Sequence, residues 1–119
     1  MGLRVLVVDD NVDAAEALAA FFEIEGCETR VALDPMEALG LLDGFMPEVA
    51  ILDIGLPQMD GYQLAARIRA TASGRDCRLI ALTGYDMPED RARTRDAGFE
   101  RHFAKPVDLD ALLLAARSA

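Results

Sequence analysis

The sequence predicts an α/β domain built on a mainly parallel sheet. Three observations lead there. Five short strand-like runs alternate with five stretches of helical periodicity. Three of the runs, Arg4–Asp9, Glu48–Asp53 and Arg78–Thr83, are apolar almost throughout, as strands buried on both faces are. Each of the three stops abruptly on a carboxylate or a hydroxyl. Right-handed crossovers between parallel strands then put helices on both faces of the sheet.

Taken in order, Arg4–Asp9 forms the first strand and Asp9-Asp10-Asn11 follows it directly. Asn11 can cap a helix over Val12–Glu25, whose Ala15, Leu18, Ala19 and Phe22 recur at helical spacing and which Gly26 stops. Glu28–Ala32 is a shorter, more polar strand suited to a sheet edge. Asp34-Pro35-Met36-Glu37 reads as a helix start, with Asp34 as cap and Glu37 completing a capping box. Met36, Leu39, Leu42 and Phe45 are expected to face the core. After Glu48–Asp53, Asp60-Gly61 opens a third helix burying Leu64, Ala65 and Ile68, which Ser73-Gly74 ends. Arg78–Thr83 is the fourth strand. The helix expected over about Pro88–Ala97 has almost no apolar face, so the core holds it weakly. Glu100–Ala104 is the last strand, followed by Lys105-Pro106. Asp108 caps a closing helix expected to bury Leu109, Leu112, Leu113 and Ala116.

The length of 119 residues predicts one domain, residues 1–119, and a 52% hydrophobic composition is enough for one packed core. A formal net charge of −9 argues against direct binding to nucleic acid or an anionic membrane. No apolar run approaches a membrane span and no leader pattern opens the chain, so a cytoplasmic protein is expected. Cys27 and Cys77 lack CxxC spacing and read as buried or half-buried free thiols. Lys105 is the single Lys among 12 Lys and Arg residues, marking a place where Arg would not serve.

Taken alone, Asp53 reads as a cap or turn former. The other strands change that reading. Asp9-Asp10, Asp53, Thr83 and Lys105 end strands of one direction, so all project from one sheet edge, where open α/β sheets bind ligands. Three carboxylates gathered there repel one another by roughly 4 kcal/mol per pair at about 4 Å and an effective dielectric near 20. A hard divalent cation relieves the crowding, and Mg²⁺ favours this all-oxygen set. A cation, an ammonium and a hydroxyl beside a carboxylate are what phosphoryl transfer to that carboxylate needs. No glycine-rich nucleotide loop accompanies them.

In this combination the chain resembles a receiver domain of a bacterial two-component response regulator, from Arg4 to about Arg117. The residues that carry the resemblance are the acidic pair, Asp53-Ile-Gly-Leu-Pro-Gln-Met-Asp-Gly, Thr83 and Lys105-Pro106. The resemblance implies a flavodoxin-like (βα)5 three-layer sandwich whose five-stranded sheet has the order 2-1-3-4-5. It makes Asp53 the phosphoacceptor. Asp10, Asp53 and the backbone carbonyl of Gly55 would hold Mg²⁺, with Asp9 acting through water and Mn²⁺ able to substitute. Lys105 would pair with Asp53 and then with the phosphoryl group, Thr83 would move onto a phosphoryl oxygen, and the Lys105–Pro106 bond would be cis. The implied partners are a histidine kinase or a histidine phosphotransfer protein, and a weak homodimer through the face of the fourth helix, fifth strand and fifth helix.

One position departs from the family pattern. Three residues before Lys105 the family usually carries Tyr or Phe, and here His102 stands as the expected switch partner of Thr83. Gly55 and Tyr85, two residues after Asp53 and Thr83, would act oppositely on the lifetime of the phosphorylated state. Arg91, Arg93, Arg95 and Arg101 cluster on an acidic chain, either as a solvated face or as a dock for an acidic partner. Two competing functions stay open: a receiver-like interaction module that is never phosphorylated, and a Mg²⁺-dependent phosphatase with an Asp nucleophile. The phosphatase normally needs a second Asp two residues on, where this chain has Gly55. The domain is therefore expected to signal rather than to act as an enzyme.

Overall fold

The computed structural model describes residues 2–55, 59–84 and 88–118, with residues 88–91 described by backbone alone. Five strands and five helices alternate: β1 Arg4–Val8, α1 Val12–Ile24, β2 Glu28–Ala32, α2 Pro35–Phe45, β3 Val49–Asp53, α3 Gly61–Arg69, β4 Arg78–Thr83, α4 Pro88–Asp96, β5 Arg101–Ala104 and α5 Leu109–Arg117. All four strand pairings are parallel and the sheet order is β2-β1-β3-β4-β5. The flavodoxin-like sheet expected from the sequence is the one found.

The central strands are buried on both sides, and their side chains divide by the two-residue period of a strand. Val5, Val7, Val49, Ile51, Ile80 and Leu82 face one layer, where they meet Ala15, Leu18 and Phe22 of α1 and Leu112 and Ala116 of α5. Leu6, Val8, Ala50, Leu52, Leu79 and Ala81 face the other, against Ala38 and Leu42 of α2 and Leu64 and Ile68 of α3. Each fully buried Leu or Ile contributes about 1.5–3 kcal/mol of transfer free energy. No described helix is long and apolar enough to cross a membrane.

The helix starts follow the sequence closely. Asn11, Asp34, Asp60 and Asp108 are all N-caps whose side chains accept a backbone N–H three residues on. Asp60 and Gln63 form a reciprocal capping box. The box expected at Asp34 is altered, because Glu37 Oε1 accepts from the N–H of Leu33 at 2.6 Å, one residue before the cap.

Two core expectations fail. Met36 is 66% exposed because the buried stripe of α2 is Pro35, Ala38, Leu42 and Phe45, and Met36 lies beside it. Leu109, 39% exposed, sits in the first turn of α5, one turn before the buried Leu112 and Leu113. The third helix also ends at Arg69, well before Ser73-Gly74. Arg69 explains the rest of that turn: its guanidinium gathers the carbonyls of Gly74, Arg75, Cys77 and Gly98. Arg78 does the same for α5, donating to the carbonyls of Ala115, Ala116 and Ser118. Cys27 and Cys77 are buried free thiols, as expected. Burial pushes the Cys77 thiol up to about 11, which leaves it protonated and inert at neutral pH.

Candidate functional site

The parallel register sets the site's floor plan. Val8 is level with Leu52, and Asp53 with Leu82, so Asp9 follows β1 at the height at which Asp53 ends β3. Thr83 is level with Ala104, and Lys105 comes next. The N–H of Lys105 donates to the Thr83 carbonyl at 2.7 Å, which holds the segment after β5 against the end of β4. The Lys105–Pro106 peptide bond is cis.

Carboxylate oxygens of Asp9, Asp10 and Asp53 all lie within 4.8 Å of one another. Lys105 Nζ donates to Asp53 Oδ2 at 3.0 Å and lies 3.7 Å from Asp9 Oδ2. The remaining oxygens are oriented by the backbone: Asp53 Oδ1 accepts from the Gly55 N–H and Asp9 Oδ1 from the Asn11 N–H, both at 3.0 Å. Asp9 is buried and Asp10 exposed, so the cluster runs from the sheet edge out to solvent.

The electrostatics follow from this crowding. Burial, reinforced by the Asp53 charge, raises the Asp9 carboxyl above its ordinary value, against the Asn11 N–H and Lys105, which lower it. Burial acts to lower Lys105, but its hydrogen bond to Asp53 and the charges of Asp53 and Asp9 outweigh that and raise it. Lys105 is therefore firmly cationic. An all-oxygen donor set carrying excess negative charge, with no His or Cys in it, fits a hard divalent ion.

A cavity of about 490 Å³ opens above Asp53, with Gly55, Thr83 and Lys105 in its wall. Its other side is formed by Asp60, Tyr62 and Arg93, which sequence reasoning did not assign to the site. Asp60 had shown itself only as a helix cap, and Arg93 only as one of several arginines. The one hint was an aromatic residue directly after Asp60-Gly61. Thr83 Oγ1 lies 2.7 Å from His102 Nε2. Tyr85, expected over the site, and the side chain of Arg91 lie outside the described residues.

A family profile described as "Response regulator receiver domain" matches residues 5–117. The chain belongs to that family. Among receiver-family relatives, it is 33% identical over 118 residues to the response regulator MprA of Mycobacterium sp. (strain KMS), covering 99% of this chain and 50% of that protein. The chain thus spans about half the length of the MprA relatives it matches. It is also 39% identical over 106 residues to an uncharacterised 14.6 kDa protein of Leptolyngbya boryana, covering 89% of this chain and 81% of that one. The receiver domain of a Francisella response regulator superimposes with a TM-score of 0.87 at 29% identity, covering 97% of this chain and 93% of that chain. The acidic cluster and Lys105 thus sit at the strand ends of a receiver sheet.

Proposed function

We propose that residues 1–119 form a single receiver unit that accepts a phosphoryl group on Asp53 from a phosphohistidine of a histidine kinase or a histidine phosphotransfer protein. The observation that carries the reading is the placement of Asp53. Its carboxylate stands at a strand end, 3.0 Å from Lys105 Nζ, within the acidic cluster and open to a cavity with room for a phosphoryl group.

In the transfer, an Asp53 oxygen attacks phosphorus, a P–O bond forms and the P–N bond breaks. The imidazole leaves with the electron pair and takes a proton from solvent. The Gly55 N–H holds Oδ1 in place, so that Oδ2 is the oxygen exchanged between Lys105 and phosphorus. Lys105 then follows the developing charge onto the phosphoryl oxygens. Thr83, at the cavity wall, supplies an O–H to a second oxygen. Asp10, Asp53 and the Gly55 carbonyl would hold Mg²⁺, with Asp9 acting through water. When bound, the ion screens the carboxylates and neutralises charge on the transferred group. Beyond taking up and losing its own aspartyl phosphate, the chain turns over no substrate.

The test is incubation with acetyl phosphate and Mg²⁺, followed by intact-mass measurement. One phosphoryl group per chain is expected, absent in Asp53→Asn. A wild-type chain that stays unmodified supports the interaction module instead, and repeated turnover of a phosphomonoester supports the phosphatase.

A further inference from the structure

Arg93 belongs to α4, yet its guanidinium stands in the wall of the Asp53 cavity. Its Cζ lies 4.1 Å from the centroid of the Tyr62 ring, and its Nη2 lies 3.4 Å from Asp60 Oδ2. Both tethers are weak. The Arg93 side chain is 61% exposed and that of Asp60 37% exposed, and ion pairs in such surroundings hold little energy. Asp60 also has another duty, because its Oδ1 caps α3 by accepting from the Gln63 N–H at 2.9 Å.

The tethers are close to the acceptor by backbone. The Gly61 N–H donates to the Ile54 carbonyl at 2.9 Å, and a Cβ at Gly61 would come within 3.1 Å of the Asp53 carbonyl. Tyr62, under the guanidinium, is the very next residue. Arg93 is thus poised beside the acceptor without being engaged by it.

We propose that Arg93 is a phosphoryl-contacting residue that reads the state of Asp53 from α4. This rests on the phosphoacceptor reading above. A phosphoryl group brings about −1.5 to −2 charges and three acceptor oxygens, which match a guanidinium fork better than one shared carboxylate oxygen does. The guanidinium then leaves Asp60, slides off Tyr62 and closes on the phosphoryl oxygens opposite Lys105. Helix α4 moves with it: among its described side chains, those of residues 92–96, Thr94 is the one that is buried. One attachment that turns with it is the 3.2 Å hydrogen bond between Thr94 Oγ1 and Tyr62 Oη.

The experiment titrates the full chain with beryllium chloride in excess fluoride and Mg²⁺, and follows phosphoryl lifetime after acetyl phosphate labelling. Arg93→Ala is expected to bind beryllofluoride roughly five- to tenfold more weakly than wild type, with Arg93→Lys recovering part of the loss. Asp60→Asn keeps a capping oxygen but removes the competing charge, so it is expected to bind about threefold more tightly. A merely structural role would not move the two variants in opposite directions. If wild type is labelled but Arg93→Ala binds as tightly as wild type, or if Asp60→Asn shifts the same way as Arg93→Ala, this inference falls and the phosphoacceptor reading stands. A wild-type chain that is neither labelled nor bound overturns both.

Discussion

Thr83 Oγ1 and His102 Nε2 lie 2.7 Å apart, so a side-chain hydrogen bond joins the last residue of β4 to the second residue of β5. The register pairs Ala81 with His102, which puts Thr83 and His102 on the same face of the sheet, the face toward α3. In the proposed reaction Thr83 gives up this bond to reach a phosphoryl oxygen. Replacing His102 by Phe removes the competitor while keeping a ring. We expect His102→Phe to bind beryllofluoride about fivefold more tightly, the equivalent of one net hydrogen bond of about 1 kcal/mol. Unchanged or weaker binding would show that Thr83 does not leave His102.

Lys105 balances two carboxylates that are themselves largely removed from water, with 13% of the Asp53 side chain exposed and 7% of Asp9. Replacing it by Met leaves them uncompensated. Lys105→Met is expected to lower the stability of the metal-free chain by about 1–3 kcal/mol, less than for a fully buried pair because the ammonium is partly solvated. Saturating Mg²⁺ should recover much of this loss in urea unfolding. Equal losses with and without Mg²⁺ would separate the ion from the carboxylates.

The raised Asp9 carboxyl makes a prediction in pH. Because the folded chain holds this proton more tightly than the unfolded chain, Asp9 favours folding most below its ordinary 3.8 and loses that contribution as pH rises through the raised value. Ionised Asp9 is therefore a cost at neutral pH. In chelator, Asp9→Asn should raise the melting temperature at pH 7. The gain should shrink as pH falls toward 3.8. The raised Lys105 acts at the other end: its contribution is complete below 10.5 and is lost as pH rises through its higher value. Melting curves across pH check both limbs.

Glycine substitutions separate tight from open positions. A Cβ at Gly61 would stand 2.8 Å from Ile54 Cα and 3.1 Å from the Asp53 carbonyl, both backbone atoms that cannot turn aside. Gly61→Ala should cost about 1–3 kcal/mol and shift the amide resonances of Asp53 and Ile54. Gly40 and Gly44 lie in α2 with nothing within 4 Å of a Cβ. Alanine at either should instead stabilise the chain by about 0.5–1 kcal/mol. Denaturant midpoints distinguish the two outcomes.

Much of the fold could be read from the sequence because its signals are local. Asn11, Asp34, Asp60 and Asp108 announce helix starts through chemistry confined to four residues. The acidic strand ends are equally plain. Sheet order was different: it came with the family resemblance, since no periodicity in β1 says that β3 is its neighbour. Met36 misled because the buried stripe of α2 runs through Pro35 and Ala38 one position to its side, and Leu109 because a residue in the first turn of α5 meets the spacing rule while staying at the rim of the core. The roles of Arg69, Arg78 and Arg93 were illegible for a third reason. Their partners are carbonyls, a ring or a capping Asp between 5 and 40 residues away, and a long flexible cation gives no sign of which it will choose.

Strands that are oily on both sides carry a hidden weakness. Sliding one of them by a residue against its neighbour swaps Val for Leu and leaves the grease content of either layer nearly the same, so hydrophobicity alone does not forbid the slip. What forbids it here is the hard polar stop at each tip. A step of about 3.3 Å would drag Asp53 or Asp9 in among Leu52, Val8 and Ala81, an environment where a bare carboxylate is ruinous. The side chains that give this sheet its chemistry also act as the pins that keep its rows aligned.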